Sequence, residues 1–191
     1  MAKLNMFNFI TLNGFYKGLN EDISWHKRGY QEAAFSEKSA QGDGILLFGR
    51  VTYQMMAGYW PTPAAKQNMP ATAAGMTKAE KIVFSKTLTE ADWENTRIVK
   101  SDLIEEVKKL KQGDKNITIL GSGSIVSQLA EHNLIDTYQI MLDPVAIGKG
   151  TSIFSNISNE LHLELTGTET FKSGVVLLNY KSKIAPHQAG G

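Results

Sequence analysis

Three short turns carry the residue types that hold phosphate. The first is Phe48-Gly49-Arg50-Val51-Thr52-Tyr53. Gly49 permits a sharp turn, and Arg50 and Thr52 then sit beside the open N–H groups of a helix start. The second is Gly121-Ser122-Gly123-Ser124-Ile125-Val126, whose small residues let a pyrophosphate approach the backbone. It begins like a dinucleotide fingerprint, but Val126 stands where the third glycine belongs, which argues against a standard Rossmann site. The third is Ser85-Lys86-Thr87, two hydroxyls and an ammonium suited to a phosphate monoester. Each also reads, alone, as a plain turn. A fourth stretch, Gly148-Lys149-Gly150-Thr151, lacks the Gly-Lys-Ser/Thr order of a P-loop.

Other chemistries find little support. The chain has no cysteine, which removes disulfide scaffolds, thiolate zinc sites, iron–sulfur clusters and a cysteine nucleophile. His26, His132, His162 and His187 share no metal-ligand spacing and read as surface or loop residues, so no metal is expected. There is no Gly-x-Ser-x-Gly elbow for a hydrolase. Trp25, Tyr53, Tyr59 and Trp60 gather around the first two loops; a core and a flat ring-binding cleft use the same types, and both readings stay open. Twenty basic against nineteen acidic side chains leave a net charge of +1, with no basic excess to track nucleic-acid phosphates. The first fifteen residues lack the apolar stretch of a signal peptide, and the longest apolar runs, 45–48 and 175–178, are too short to cross a membrane. A cytoplasmic protein with a small-molecule ligand is expected.

The elements that must position these turns read as one domain over residues 1–183, with 184–191 outside the fold. Strands are expected at 3–11, 45–48, 81–85, 97–100, 117–120, 137–145, 161–171 and 174–181. Helices are expected at 28–40, 50–57 and 125–131, and after an N-cap at Ser101, where Leu103, Ile104, Val107 and Leu110 form one stripe. Residues 13–25 read as a polar loop, and 60–76, with three prolines and many alanines, as an irregular excursion. Alternating strands and helices followed by antiparallel strands predict a three-layer α/β/α domain. Its mixed, mostly parallel sheet has about eight strands, the C-terminal ones antiparallel. In such sheets ligands collect at the carboxyl ends of strands.

Several segments, in order and spacing, resemble one superfamily. They are Thr11-Leu-Asn-Gly-Phe15, Trp25, Leu47-Phe-Gly-Arg-Val-Thr-Tyr53, Tyr59-Trp-Pro61 and Val83-Phe-Ser-Lys-Thr-Leu88. Ile119-Leu-Gly-Ser-Gly-Ser124, Leu134-Ile-Asp-Thr-Tyr138 and Asp143-Pro-Val-Ala-Ile-Gly-Lys-Gly150 with Phe154 complete the set. Over residues 3–182 the chain resembles the dihydrofolate reductase-like superfamily. Within it, the likeness is to stand-alone homologues of the reductase domain of riboflavin-biosynthesis deaminase-reductases. The resemblance implies an NADPH-dependent reductase. It implies that Gly49, Arg50 and Thr52 hold phosphate, that Ser85, Lys86 and Thr87 bind the adenosine 2′-phosphate, and that Gly121, Ser122, Gly123, Ser124 and Ile125 cradle the pyrophosphate. The implied substrate pocket uses Asn13, Gly14, Trp25, Asp143 and Gly148.

The nearest family chemistry is reduction of the ribosylamino group of 5-amino-6-(5-phosphoribosylamino)uracil. Asn13 stands where the family commonly has aspartate, and an amide cannot exchange a proton as a carboxylate does. Proton delivery is expected from Glu32 or from a bound water, with Asn13 as an orienting group in the second case. A dihydrofolate or pterin reductase, and a nucleotide-binding protein without turnover, are the alternatives. The fused deaminase is absent, because its Pro-Cys-x-x-Cys ligands cannot exist without cysteine. Related reductase domains are often two-fold dimers, and an apolar antiparallel pair at the end of the sheet invites pairing, so a homodimer is expected.

Overall fold

Leu4 and Met6 are fully buried and alternate with the less buried Asn5 and Phe7, so strand β1 (Leu4–Thr11) presents two unlike faces. The computed structural model describes residues 1–26, 29, 31–35 and 43–183. After β1 come β2 (Phe15–Gly18), β3 (Ile45–Gly49), β4 (Glu80–Phe84), β5 (Thr96–Val99) and β6 (Ile117–Ile119). The chain then adds β7 (Thr137–Asp143), β8 (Gly150–Ser152), β9 (Leu163–Thr170) and β10 (Val176–Ser182). Eight of these form one sheet in the order β5-β4-β3-β6-β1-β7-β10-β9. Neighbours from β5 to β7 are parallel, whereas β10 runs antiparallel to both β7 and β9. This is the mixed sheet expected, in the dihydrofolate reductase-like arrangement.

Two helical layers cover the sheet. Residues 31–35 form α1, followed by α2 (Arg50–Ala57), α3 (Pro63–Asn68), α4 (Pro70–Lys78), α5 (Leu103–Lys111) and α6 (Gly123–Glu131). The remainder of the helix expected at 28–40, and residues 184–191, lie outside the described residues. Leu47 and Phe48 are adjacent and both fully buried, yet they belong to opposite cores. Leu47 packs with Val107 of α5 and Leu129 of α6; Phe48 packs with Tyr53 of α2, Ala65 of α3 and Met76 of α4. Burying each of these large side chains stabilises the fold by about 1.5–3 kcal/mol.

Three local expectations need correction. The N-cap of α5 is Asp102 rather than Ser101: its Oδ1 accepts from Glu105 N at 3.0 Å, one residue too far for Ser101 to reach. The stretch 60–76, expected to be irregular, is helical from Pro63 to Asn68 and again from Pro70. Pro63 and Pro70 open α3 and α4, where a missing N–H costs nothing, and Thr62 Oγ1 caps Ala65 N at 3.2 Å. The loop 13–25 holds β2, which pairs with β8 in a separate two-stranded ribbon. A Cβ on Gly150 would lie 2.4 Å from the Lys17 carbonyl oxygen, so only glycine lets the ribbon close.

The end of α4 is capped from inside the protein. Lys81 is fully buried on β4, and its Nζ donates to the carbonyls of Met76 at 3.0 Å, Thr77 at 2.9 Å and Ala79 at 2.6 Å. The ammonium also sits 4.5 Å from the centre of the Trp93 ring. Burial pushes the Lys81 pKa down to about 8.

Candidate functional site

The sheet order places the three phosphate-type turns together. Strands β4, β3 and β6 are parallel neighbours, with Phe84 opposite Gly49 and Leu47 opposite Ile119. Ser85-Lys86-Thr87 therefore leaves β4 beside the Gly49-Arg50 turn, which leaves β3 beside the Gly121–Gly123 turn that follows β6. Gly49 N donates to Gly121 O at 3.3 Å, and a Cβ on Gly49 would fall 2.6 Å from Ser122 Oγ. Gly121 has φ +105°, a left-handed conformation that favours glycine, with Thr52 Oγ1 3.3 Å from where its Cβ would be. The Gly121–Ser122 peptide is cis. No side chain caps α2 or α6, so the first-turn N–H groups of both helices are left to other partners.

Within these turns the side chains are only lightly engaged. Arg50 is exposed and donates to Gln54 Oε1 at 2.9 Å. Ser85 Oγ accepts from Thr87 N at 3.2 Å and Leu88 N at 2.9 Å, which fixes the turn and leaves Lys86 exposed. The hydroxyls of Ser122 and Ser124 lie 2.9 Å apart, and Ile125 anchors α6 in the core.

Next to the turns that follow β3 and β6 is a cavity of about 520 Å³, within the range of small-ligand pockets. Thr52 and Gly121 line it at the turns; Phe7, Phe9 and Trp25 give it aromatic walls; Asn5, Thr118 and Gln139 supply polar groups from the sheet. Tyr16 of β2 closes against Gly123, whose Cβ position is 2.9 Å from the ring. Tyr53 and Trp60, also candidates for a ring-binding cleft, are core residues, although Trp60 reaches the cavity wall.

The structure divides the candidate substrate residues. Trp25 lines the cavity; Asn13, Gly14, Asp143 and Gly148 lie outside its lining. Asn13 ties two loops together: Oδ1 accepts from Thr11 Oγ1 at 2.8 Å, and Nδ2 donates to Ile147 O at 2.8 Å. Gly14, with φ +86°, completes that turn. Glu32 is also outside the cavity lining among the described residues. It is 2% exposed and accepts a hydrogen bond from Ser173 Oγ, while neighbouring Gln31 accepts from Lys172 N at 2.8 Å. Both residues fasten α1 to the turn between β9 and β10.

His26 is the residue that sequence reasoning missed. Expected as a surface or loop residue, it lies in a loop, but its side chain is 5% exposed, and its Nδ1 lies 3.0 Å from both carboxylate oxygens of the similarly buried Asp143. His26 lines the cavity and stacks on Phe9, with 3.8 Å between ring centres. Its Nε2, like Trp25 Nε1 and Asn8 Nδ2, is buried without a hydrogen-bond partner among the described residues. The only local signal is its place beside Trp25; its partner is 117 positions away.

Comparison with known proteins agrees with this architecture. Residues 2–177 match the RibD C-terminal domain family. The uncharacterized protein YyaP of Bacillus subtilis (strain 168) is 30% identical over 176 residues, covering 90% of each chain. A solved structure from Shewanella sp. PV-4 superposes with a TM-score of 0.71 at 20% identity, covering 96% of this chain and 99% of that one. A diaminohydroxyphosphoribosylaminopyrimidine deaminase/5-amino-6-(5-phosphoribosylamino)uracil reductase of Thermotoga maritima superposes with a TM-score of 0.67 at 14% identity. That match covers 95% of this chain but 57% of the longer protein. At such identities the two structures show a shared fold.

Proposed function

The chain belongs to the RibD C-terminal domain family, and from that membership we propose that it is an NADPH-dependent reductase of a small heterocyclic or imine-type substrate. The observation that carries this reading is the alignment of three phosphate-type turns on neighbouring strand ends, two of them beside a cavity of about 520 Å³. The residues present fit the dinucleotide. Uncapped starts of α2 and α6 face a pyrophosphate, Gly121 keeps the backbone accessible, and the exposed Lys86 beside Ser85 and Thr87 matches a 2′-phosphate. When bound, the nicotinamide supplies a hydride. The protein's part is to orient a flat ring against Phe7, Phe9 and Trp25 and to keep water out.

The nearest substrate by family is 5-amino-6-(5-phosphoribosylamino)uracil, the compound named in the Thermotoga relative. The engagement of Glu32 with Ser173 weighs against the folate and pterin alternative, which needs a carboxylate from α1 in the pocket. Turnover of the aminouracil, followed by NADPH absorbance, tests the activity. Thermal shift tests the cofactor. At 100 times its dissociation constant NADPH is expected to add about 2.7 kcal/mol, a rise of roughly 5–10 °C for a domain of this size. NADH at the same concentration is expected to give a clearly smaller shift. Equal shifts, or none from either, would overturn the 2′-phosphate assignment.

The proposal extends to a homodimer. β9 ends the sheet with one side unpaired, and Leu165 on it is 53% exposed. Light scattering is expected to give about 42 kDa, twice the 21.0 kDa of one chain; a mass near 21.0 kDa refutes it.

A further inference from the structure

A carboxylate only accepts hydrogen bonds, so the contacts of 3.0 Å from both Asp143 oxygens place a hydrogen on His26 Nδ1. Nε2 is then the nitrogen left to act, and it can both hold and release a proton. The ring is fixed on its face by Phe9, at 3.8 Å and 32° between planes, and on its edge by Trp25, at 6.2 Å and 73°. Leaving a buried polar nitrogen unpartnered is unfavourable unless a ligand completes it. Here two consecutive residues lining one cavity each leave one such nitrogen: His26 Nε2, and Trp25 Nε1, which can only donate. The aromatic surroundings favour a flat ligand. The two nitrogens favour one with an acceptor atom for Trp25 and a basic nitrogen or oxygen for His26.

From this arrangement we propose that His26 is the catalytic proton donor of the cavity, that Asp143 is its positioning residue, and that Trp25 binds a ring acceptor of the same substrate. The inference rests on the reductase reading and deepens it. In the step it describes, the carbon of a C=N bond gains a hydride from the reduced nicotinamide, and a C–H bond forms. The π pair of C=N moves to nitrogen, which takes the proton from His26 Nε2 as that N–H bond breaks. The products are an amine and oxidised dinucleotide. His26 is left neutral, still donating from Nδ1 to Asp143, and regains its proton from water. Asn13, hydrogen-bonded to Thr11 and Ile147, has no such proton to give.

Among the described residues the other ionisable groups on the cavity wall are Tyr16, Lys17 and Glu21, and the last two pair with each other at 2.6 Å. The test uses the full chain with NADPH and 5-amino-6-(5-phosphoribosylamino)uracil. His26→Gln is expected to lower kcat about 100-fold or more, while the dissociation constant for NADPH, read by fluorescence, stays unchanged. In Asp143→Asn kcat is expected to fall by a smaller factor with KM unchanged, because the ring keeps the nitrogen that gives the proton and loses the carboxylate that holds it in place. Wild-type turnover with kcat unchanged in His26→Gln overturns the assignment.

Absence of wild-type turnover overturns the reductase reading instead, and histidine ¹⁵N NMR then decides the role of His26. Its signal is identified by its loss in His26→Gln. An Nδ1 that carries no hydrogen overturns the proposal. A hydrogen on Nδ1 that is lost or exchanges faster in Asp143→Asn sustains the dyad for another imine or carbonyl substrate.

Discussion

Ser124→Glu is expected to weaken NADPH binding about 100-fold or more while leaving the melting temperature unchanged or slightly higher. Ser124 is exposed at the second position of α6, a helix without a side-chain cap. A carboxylate in the first turn of a helix is favourable by about 0.3–1 kcal/mol through the helix dipole, so the fold does not suffer. The same carboxylate competes with a pyrophosphate for the N–H groups of Gly123 and Ser124 and repels its charge. Removing one charge-assisted hydrogen bond costs about 1.5–3 kcal/mol, or roughly 10- to 150-fold in affinity. Calorimetric titration beside a thermal scan separates the two effects. A variant that binds NADPH as tightly as the wild type removes the turn after β6 from the cofactor site.

Lys81→Met is expected to lower stability by about 2–4 kcal/mol, because three carbonyls at the end of α4 lose their donor together. For a domain of this size the melting temperature should fall by roughly 5–15 °C. Lys81 is not itself among the residues lining the cavity, so the temperature, rather than cofactor affinity, is the readout. The lysine also leaves a signature in pH. Burial holds its pKa at about 8, below the ordinary 10.5, so across that window the unfolded chain binds more protons than the folded one. Stability of the wild type should therefore rise between pH 8 and 10.5 relative to Lys81→Met, by an amount that urea denaturation at two pH values resolves. A gap that narrows as pH rises would show that the ammonium is not buried as described.

Where local chemistry decides, the sequence is readable. α5 carries its acidic start, basic end and apolar stripe in nine residues, and only its cap lies one position from the expected serine. The eight strands of the main sheet carry enough β-prone residues to stand out, and glycines mark the turns that leave β3 and β6. β2 and β8 do not stand out, because they are short, mostly half-buried and each carries a glycine, and each pairs with the other in a separate ribbon. α3 and α4 are hidden by their prolines, which break helices everywhere except at the first turn, where these two sit. The site divides along the same line. Phosphate-type turns are contiguous and can be read, whereas their convergence depends on the strand order. The His26–Asp143 pair joins a loop before α1 to the last residue of β7, and no periodicity links positions so far apart.

The position of β1 has a consequence for biosynthesis. It is made long before its ladder partners, which are β6, beginning with Ile117 opposite Leu4, and β7, beginning with Thr137 opposite Asn5. At about 5–20 residues per second, on the order of ten seconds separate the emergence of β1 from a ribosome and the arrival of β7. Throughout that interval a strand bearing Leu4, Met6, Phe7 and Phe9 has both edges unpaired. Such distant pairing makes productive folding slow and leaves the nascent chain open to chaperones and to aggregation. Damage to this strand would also split the sheet through its middle instead of trimming an edge.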